Sequence, residues 1–445
     1  MTLIDSRHAL LLASFVALAA CTTEDSGSEG VDTAEGEEPT WPMVESDQAR
    51  DENPQIDPDE ILALAADNHA LSIDLYQGLR EGKAKDKGFS ISAYSIQSAF
   101  GMLYGGTVEP AASEMEAALH FSLVGERQHV GFNWLDHQLH ARNIAAIPEP
   151  EPQDPVIFET ANGVWATPGV ADSIFPAYLD LLAVHYGTGV ALADFAEQSE
   201  RERLDINEWV SIRTHTLIPE FFKQGVILPT TTMVLVNAIY MKAPWSVPFE
   251  ESATNPNAEF TRLDGSKAKV AMMRNYDFAG GYGEGAGYRA VALPMRGDQL
   301  EMIAIVPDDF AAFEASLDVA TLDEVLGSMQ FALVDLGFPR FELEFDASLK
   351  TELQDLGLVT PFDDPSAFEG IMPGGPGVIT EVIHHTVIKV DEKGTEAAAA
   401  TGIVLGEDGG GGPEFAFSVD KPFLLLIRDA PTDTLLFFGR VLDPS

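Results

Sequence analysis

The residues best suited to bind a metal ion or to transfer a proton in this sequence are histidines in two groups. His129, His137 and His140 lie close together in one segment, and His384 and His385 are adjacent in another. A zinc site needs three or four ligands in a recognisable spacing, and no cysteine or carboxylate completes such a pattern here. We interpret the first three as histidines on a helix surface and His384 as a buried, hydrogen-bonded side chain beside an apolar strand. We therefore predict no metal and no cofactor.

Signatures of catalysis are absent as well. The sequence contains no G-x-S-x-G, H-E-x-x-H, P-loop or EF-hand pattern. The glycine-rich run 280–287 opens no obvious helix, so it is predicted to be a surface loop between strands rather than a phosphate cradle. We expect a protein that is not an enzyme.

Cys21 is the only cysteine, which excludes an internal disulfide and a cysteine-based zinc site. It follows Leu18-Ala19-Ala20 and an apolar stretch that is too short to span a bilayer comfortably. The pattern resembles a bacterial lipoprotein signal, which implies that residues 1–20 are a signal peptide and that Cys21 carries lipid. It further implies an anchor in the cell envelope, at the outer membrane or the cell surface, with secretion if no lipid is attached. The alternative is an ordinary signal peptide with a chance cysteine.

Acidic residues dominate the charge of the chain. Over 445 residues, 71 Asp+Glu against 26 Lys+Arg give a formal net charge of −45. This excess argues against a protein that grips nucleic acid and against a basic membrane-surface helix. Membrane contact is therefore expected only through the Cys21 lipid. Residues 21–56 are rich in Glu, Asp, Ser, Gly and Pro, a composition that predicts a disordered acidic tether.

Hydrophobic periodicity places helices mainly in the first half of the remaining chain and strands in the second. Asp57-Pro58-Asp59-Glu60 has the residues of a helix start, and apolar residues follow at helical spacing as far as Leu79. Apolar runs predict buried strands at 233–241, 301–306, 423–427 and 435–442. The last two should form a hairpin around the turn-forming cluster 429–433. The pattern predicts one α+β domain over 57–445.

The segment 391–412 is the most unusual part of the chain. It combines four consecutive alanines, Ala397 to Ala400, with a glycine-rich end, and it follows a strand-like stretch at 386–390. In an extended conformation, alternate residues share a face, and the face that includes Thr395 and Thr401 carries no charge. Such a segment could add to a sheet with that face inward. Composition alone also allows a short alanine helix or a flexible glycine-rich linker.

Residues 391–401 resemble the reactive-loop hinge of the serpins. Segments 91–96, 235–245, 421–423 and 438–441 resemble further serpin motifs in the same order, so the likeness extends over essentially residues 57–445. Ala93 stands where the serpin shutter motif usually has proline, and the serines on both sides of it are retained.

The resemblance implies three β-sheets, eight or nine helices and an exposed reactive-centre loop near the carboxyl end. It assigns the hinge to Glu392, Gly394, Thr395, Glu396, Ala397, Ala398, Ala399, Ala400 and Thr401. It assigns the shutter beneath the central sheet to Ser92, Ser95, Asn237 and His384, and the breach to Trp245. Counting fourteen positions from Gly394 places the reactive bond at Asp408–Gly409, with Glu407 and Leu405 as alternatives.

The activity that the resemblance implies is inhibition of a serine-type endopeptidase. The target protease would acylate itself on the loop, and the cleaved loop would then insert into the central sheet; a cysteine protease is the alternative target. We expect a monomer. The alternative function is a non-inhibitory serpin-fold protein that serves as a binding or structural module on the cell surface. Small residues in the hinge favour inhibition, because an inserting strand must pass between existing strands.

Overall fold

The structure is a computed structural model that describes residues 38–148, 152–395 and 413–445. The predicted signal peptide, Cys21 and residues 22–37 lie outside the described residues. So do Glu396, the alanines Ala397, Ala398, Ala399 and Ala400, and Thr401. The candidate reactive-bond residues Leu405, Glu407, Asp408 and Gly409 also lie outside them.

Among the described residues the chain forms ten α-helices, several of them only one or two turns long. They are α1 (Pro58–Glu81), α2 (Ala93–Tyr104), α3 (Ala111–Ala118), α4 (Glu126–His140), α5 (Pro176–Leu181), α6 (Phe195–Arg213), α7 (Phe310–Ser316), α8 (Val319–Ser328), α9 (Lys350–Asp355) and α10 (Thr360–Asp363). A π-helical turn at Leu182–Tyr186 continues α5, and short 3₁₀ turns occupy Pro168–Ser173, Glu251–Ala253 and Pro365–Phe368.

The described strands are β1 (Met43–Val44), β2 (Phe89–Ile91), β3 (Ile157–Ala166), β4 (Val190–Leu192), β5 (Met233–Pro244), β6 (Asn255–Thr261), β7 (Lys267–Gly285), β8 (Tyr288–Pro294), β9 (Leu300–Pro307), β10 (Gln330–Pro339), β11 (Phe341–Ser348), β12 (Ile383–Val390), β13 (Gly394–Thr395), β14 (Phe415–Ser418), β15 (Phe423–Asp429) and β16 (Thr434–Val441). All four predicted strand regions are present. The predicted hairpin is β15–β16, which pairs antiparallel from Phe423↔Val441 to Asp429↔Thr434.

Hydrogen bonding connects these strands into two networks. One sheet has seven strands in the order β1-β4-β3-β5-β13-β12-β11. The other runs β14-β10-β7-β8-β9-β15-β16-β2, with β6 on β7. The long strand β7 pairs β6 and β10 over much of its length and β8 over its last residues, so two of the three expected sheets share it.

Local sequence explains the two helices on which the sheets pack. The Asp57 amide at the start of α1 donates to Glu60 Oε2 at 2.9 Å, and Pro58 occupies the first turn, where its missing N–H costs nothing. Helix α2 is apolar on nearly all sides and is buried almost throughout, as expected of a core helix. It contacts β5 of one sheet and β16 of the other, so the largest core cluster lies between the sheets around α1 and α2.

The prediction of a disordered tether is wrong for residues 38–56. Met43 and Val44 add to the edge of the seven-stranded sheet by pairing with Ala191 and Val190. The Trp41 indole donates to Glu202 at 2.8 Å, and Arg50 pairs with Asp136 at 2.6 Å. Composition averaged over the whole acidic stretch concealed these few anchoring side chains, which bind to the folded unit.

Two further predictions need correction. The run 280–287 is not a loop, since β7 continues to Gly285; a Cβ on Gly283 would lie 2.4 Å from Ser328 Oγ, so glycine there lets α8 approach the strand. His129 is buried rather than on a helix surface, and its Nδ1 lies 2.9 Å from Tyr186 Oη. Burial and the neighbouring His185 lower the pKa of His129 to about 3. None of the helices in the described ranges is long and apolar enough to cross a membrane.

Candidate functional site

The central feature of the seven-stranded sheet is a two-residue strand, β13, between β5 and β12. Strand β13 pairs antiparallel with β5 through Gly394↔Pro244 and Thr395↔Ala243, and with β12 through Val390↔Thr395. These are the first residues of the predicted hinge that could enter a sheet. The chain therefore turns back after β12 and begins a new central strand.

Thr395 is held in this position by its side chain as well as by its backbone. It is 3% exposed, and its hydroxyl group lies 3.0 Å from the Ala243 amide and 3.2 Å from the Ala243 carbonyl oxygen. The hydroxyl can accept from the first group and donate to the second. A charged side chain at this position would be buried without a partner.

Gly394 occupies a place that only glycine can fill. Its φ is +151°, and a Cβ would lie 2.4 Å from the Ala243 carbonyl oxygen and 2.5 Å from Pro244 Cα. The backbones of β13 and β5 thus approach each other closely at Gly394, the first residue of β13.

A turn at Asp391–Lys393 leads the chain into β13. Asp391 Oδ1 accepts from the amides of Lys393 and Gly394 at 2.8 and 3.2 Å. Trp245 lies against the same turn: its indole N–H donates to the Asp391 carbonyl oxygen at 2.9 Å, and its backbone amide donates to that of Lys393 at 2.8 Å. The predicted breach residue therefore touches the hinge directly.

A buried carboxylate anchors the other side of this turn. Glu392 is 2% exposed and accepts a hydrogen bond from Thr254 Oγ1 at 2.7 Å and from Arg340 Nη2 at 2.5 and 2.6 Å. Burial opposes its ionisation, but the hydrogen bonds from Thr254 and Arg340 outweigh burial and lower the pKa of Glu392. The carboxylate is charged at neutral pH and ties the hinge to the end of β10.

Below Thr395 the two neighbouring strands are not joined to each other. Within the described ranges, β5 and β12 share no ladder pair, and only β13 connects them. A cavity of about 140 Å³ lies between the lower parts of these strands, lined by Met233, Asn237 and His384 among others. The sheet thus has an unfilled opening that continues the line of β13.

Polar side chains surround this opening at its midpoint. Ser95 Oγ donates to Asn237 Oδ1, and Asn237 Nδ2 donates to Asn162 Oδ1 on β3. Ser92 Oγ caps α2 by accepting from the Ser95 amide at 3.1 Å. The structure therefore brings Ser92, Ser95, Asn237 and His384 into one cluster, while Trp245 lies at the opposite end of β5.

His384 joins this cluster as a neutral side chain. Its Nε2 accepts a hydrogen bond from the Ser92 amide at 3.1 Å, which places the ring proton on Nδ1. Burial, and to a lesser extent His385, lower the pKa of His384 to about 4.

Five further residues of this region were missed in the sequence. Two belong to the midpoint cluster: Ser90 Oγ lies 2.8 Å from Thr386 Oγ1, and Thr386 also donates to the Ser90 carbonyl oxygen. Strand alternation places Ser90 on the face of Ser92 and Thr386 on the face of His384, so this pair could have been found. Asn162, Thr254 and Arg340 carry no such local signal, because their partners are far away in sequence.

The sequence is similar to proteins of one known family. The family model described as "Serpin (serine protease inhibitor)" matches residues 66–444. The human leukocyte elastase inhibitor is 32% identical over 398 residues, which covers 86% of this chain and 99% of that protein. An uncharacterised serpin-like protein of Thermococcus kodakarensis is 30% identical over 382 residues, covering 85% of each chain.

Solved structures show the same fold. The native state of the thermophilic serpin tengpin superimposes with a TM-score of 0.74 at 23% identity, covering 91% of this chain and all of that one. Uncleaved ovalbumin gives a TM-score of 0.74 at 22% identity, covering 86% of this chain and all of that one.

Proposed function

Because the chain belongs to the serpin family, we propose that it is not an enzyme but an inhibitor of serine proteases that traps its target by inserting its own loop into the seven-stranded sheet. The observation that carries this proposal is β13. Its two residues are already paired with β5 and β12, and the space below them lies between strands that share no ladder pair. The loop can therefore extend β13 as an added strand between β5 and β12.

The registers of β13 define where an inserting loop would go. Continuing the pairing Thr395↔Ala243 antiparallel along β5 brings Thr401 opposite Asn237. Continuing Val390↔Thr395 along β12 brings the same residue opposite His384. Both registers would therefore bring Thr401 to the midpoint cluster. Its hydroxyl group could replace hydrogen bonds that insertion breaks there.

The chemistry of trapping needs no catalytic group on this chain. The protease serine attacks the scissile carbonyl of the loop and forms an acyl-enzyme ester, and the new amino terminus leaves. Insertion of ten or so residues forms ladder hydrogen bonds of about 1 kcal/mol each, a driving force on the order of 10 kcal/mol. A strand of about 13 residues spans roughly 43 Å, so the attached protease is carried to the far end of the sheet. Distortion of its oxyanion hole would then slow deacylation about 10²–10³-fold for each donor lost.

We place the scissile bond at Asp408–Gly409, with Glu407 or Leu405 as the alternative carbonyl side. This choice depends on the spacing from Gly394 that the family uses, since these residues lie outside the described part of the chain. It implies a protease that accepts an acidic residue. A cysteine protease with that preference is the alternative target.

The experiment that tests this function is a panel of serine and cysteine proteases mixed with the purified chain. An inhibitor gives a covalent complex that survives SDS, and mass spectrometry of the released fragment identifies the cut bond. Cleavage within 402–412 by a non-target protease should also raise the melting temperature by tens of degrees if the loop inserts. Cleavage with no covalent complex and no rise would contradict inhibition and identify a non-inhibitory binding or structural protein.

We further propose that Cys21 anchors the mature protein to a membrane of the cell envelope. Sixteen residues separate Cys21 from Glu38, where the described unit begins. At no more than ~3.6 Å per residue, they keep that unit within roughly 60 Å of the lipid. Mass spectrometry of the mature amino terminus tests this: an unmodified cysteine, or cleavage elsewhere, would indicate secretion instead.

A further inference from the structure

Residues 38–56, which we call the N-terminal strap, are held between two elements at Asp51. The Asp51 amide donates to the Val184 carbonyl oxygen at 2.9 Å, and the Asp51 carbonyl oxygen accepts from Asn133 Nδ2 at 2.7 Å. Val184 belongs to the π-helical turn Leu182–Tyr186, which we call the π-turn, and Asn133 belongs to α4. The strap therefore bridges the π-turn and α4.

The π-turn is an unusual element, because π-helical turns are rare and often occur at functional sites. Gly187 ends it in a left-handed conformation, with φ of +62°. Strand β4 begins at Val190, shortly after the turn, and it is the strand on which β1 of the strap pairs. A displacement of the π-turn would therefore reach the strap at two places, Asp51 and β1.

Two buried histidines meet where the π-turn packs on α4. His129 of α4 is 3% exposed and His185 of the π-turn is 8% exposed. Their ring centroids lie 5.8 Å apart, with the ring planes inclined at 30°. The Tyr186 hydroxyl lies 2.9 Å from His129 Nδ1, and burial raises the pKa of Tyr186, so this hydroxyl stays protonated and can donate to a neutral His129. The observed contact thus suits two uncharged rings.

Protonated rings do not suit this contact. His185 Nδ1 has no hydrogen-bond partner among the described residues, and an imidazolium carries an N–H donor on both nitrogens. A charged His185 would therefore bury a donor without an acceptor, and a charged His129 would face it across 5.8 Å. Burial lowers the pKa of both histidines, to about 3 for His129, in agreement with this geometry.

The carboxylates near the two rings do not neutralise them. Glu126 at the start of α4 and Asp51 of the strap raise the pKa of His185, but burial lowers it by more. Asp136 of α4 is paired with Arg50 of the strap at 2.6 Å. A proton taken up by either ring therefore adds positive charge to the contact between the π-turn and α4.

The other titratable side chains that the packed elements bring to this region do not provide an alternative acid switch. Four pairs connect them to one another or to neighbouring elements: His140 with Asp136, His137 with Glu52, Tyr104 with Glu116 and Arg127 with Glu60. Asp136 raises the pKa of His140, so acid strengthens that pair rather than breaking it. Tyr178 stays neutral, because burial raises its pKa.

We propose that His129 and His185 form an acid-sensitive latch. Neutral rings hold the π-turn against α4 with Asp51 of the strap between them, and protonated rings push the two elements apart and loosen the strap. If Cys21 carries the proposed lipid, release of the strap would lengthen the tether from the 16 residues 22–37 to the 35 residues 22–56. This consequence alone rests on the proposed anchor.

The direction of the pH dependence follows from the two states of the latch. A histidine exposed by opening titrates near pH 6.5, whereas His129 in the closed latch has a pKa of about 3. Between these values the open form binds protons that the closed form does not. The closed form is therefore fully favoured above about pH 6.5, and each pH unit below it favours opening by up to about tenfold for each ring.

Hydrogen exchange of the full mature chain between pH 7 and pH 4, followed by mass spectrometry, tests the latch. After correction for the intrinsic pH dependence of amide exchange, peptides that contain Asp51 or the π-turn should lose protection by up to about tenfold per pH unit for each ring. The β15–β16 hairpin reports global unfolding and should remain protected when the strap has already begun to exchange. A strap that keeps its protection relative to this hairpin down to pH 4 would overturn the proposal.

Substitution of the histidines assigns the effect to the latch. His185→Phe keeps an aromatic ring and removes its titration, so the strap should stay protected at pH 7 and lose less protection in acid than in the parent. Should this variant fail to fold, His185→Gln provides the same test. His385→Phe is the matched control, because His385 Nδ1 also has no partner among the described residues but lies on β12, away from the strap.

The double variant His129→Phe/His185→Phe should remove the acid-induced loss of strap protection altogether. An equal loss in the parent and in this double variant would overturn the proposal, as would an effect of His385→Phe as large as that of His185→Phe. These measurements use neither a protease nor a membrane, so their outcome is independent of the proposed inhibition and of the proposed anchor.

Discussion

The two ends of the opening in the seven-stranded sheet are closed by different kinds of interaction. At the upper end, β13 joins β5 to β12 by main-chain pairing, and the Glu392–Arg340 pair locks the entering turn. At the lower end, by which we mean the midpoint cluster and the part of the opening below it, the described residues connect neighbouring elements through hydrogen bonds of the Ser95, Asn237 and His384 side chains. Main-chain pairing that has begun at β13 can be extended by the backbone of any residues whose side chains fit. Side-chain hydrogen bonds, in contrast, can be replaced one at a time by new partners. If the loop inserts as proposed, the upper end would start insertion and the lower end would set how readily it continues.

The largest effect expected from this difference is at Thr395. Thr395→Arg would bury a charge where the threonine is 3% exposed, so the first step of insertion should fail. The variant should be cleaved as a substrate, give no SDS-stable complex, and show no rise in melting temperature after cleavage. Glu396→Arg is the matched control, because alternation along an inserted strand would direct residue 396 to the opposite, outward face. Retained trapping by Thr395→Arg would refute the role of β13 as the starting point.

Acid should weaken the lower end before the upper end. The pKa of His384 is lowered to about 4 in the folded protein, against about 6.5 in an unfolded chain. Between these values the unfolded chain binds a proton that the folded chain does not, so stability is full above about pH 6.5 and falls as the pH drops towards 4. The loss amounts to about 3 kcal/mol at its largest.

The measurement is the unfolding midpoint as a function of pH, with hydrogen exchange of β5 and β12 as a local readout. His384→Gln should flatten the profile between pH 4 and 6.5 relative to the parent. Buried His129 contributes its own acid sensitivity, since its pKa is lowered to about 3, so only the difference between variant and parent is assigned to His384. An identical profile in His384→Gln would show that the midpoint cluster does not sense acid.

The upper end should respond to loss of its ion pair by a smaller amount. Arg340→Gln leaves the Glu392 carboxylate buried with Thr254 as its remaining side-chain partner, a cost of about 1–3 kcal/mol. Faster hydrogen exchange at the Thr395 amide would show that the hinge itself is released. Lys389→Gln breaks a neighbouring pair with Glu342 that is exposed on both sides, and it should change stability by less than about 1 kcal/mol. Equal effects of the two variants would mean that Glu392 does not lock the turn.

Some elements of the fold and of the site can be predicted from the sequence, and others cannot. The start of α1 and the β15–β16 hairpin follow from local signals, because the capping and turn residues act within a few positions. The hinge was assigned, and the residues of the midpoint cluster were grouped, only through resemblance to a family, since Ser92 and His384 are 292 positions apart. The pairing of Arg340 with Glu392 and the anchoring of Trp41 on Glu202 had no local signal at all. In each of these cases one element contacts a distant one, and no periodicity in either element specifies which.

The smallest predicted effect directly tests whether side-chain hydrogen bonds hold the lower end of the opening together. Thr386→Val keeps the shape of a buried side chain and removes the hydroxyl group that lies 2.8 Å from Ser90 Oγ and donates to the Ser90 carbonyl oxygen at 2.9 Å. We expect a loss of about 1 kcal/mol, measured as a shift in the urea midpoint, because Ser90 is left without this partner. The double variant Ser90→Ala/Thr386→Val removes both partners and should lose less than the sum of the single variants. Additive losses would mean that the two hydroxyl groups act separately, and the lower end would then be held by packing rather than by exchangeable hydrogen bonds.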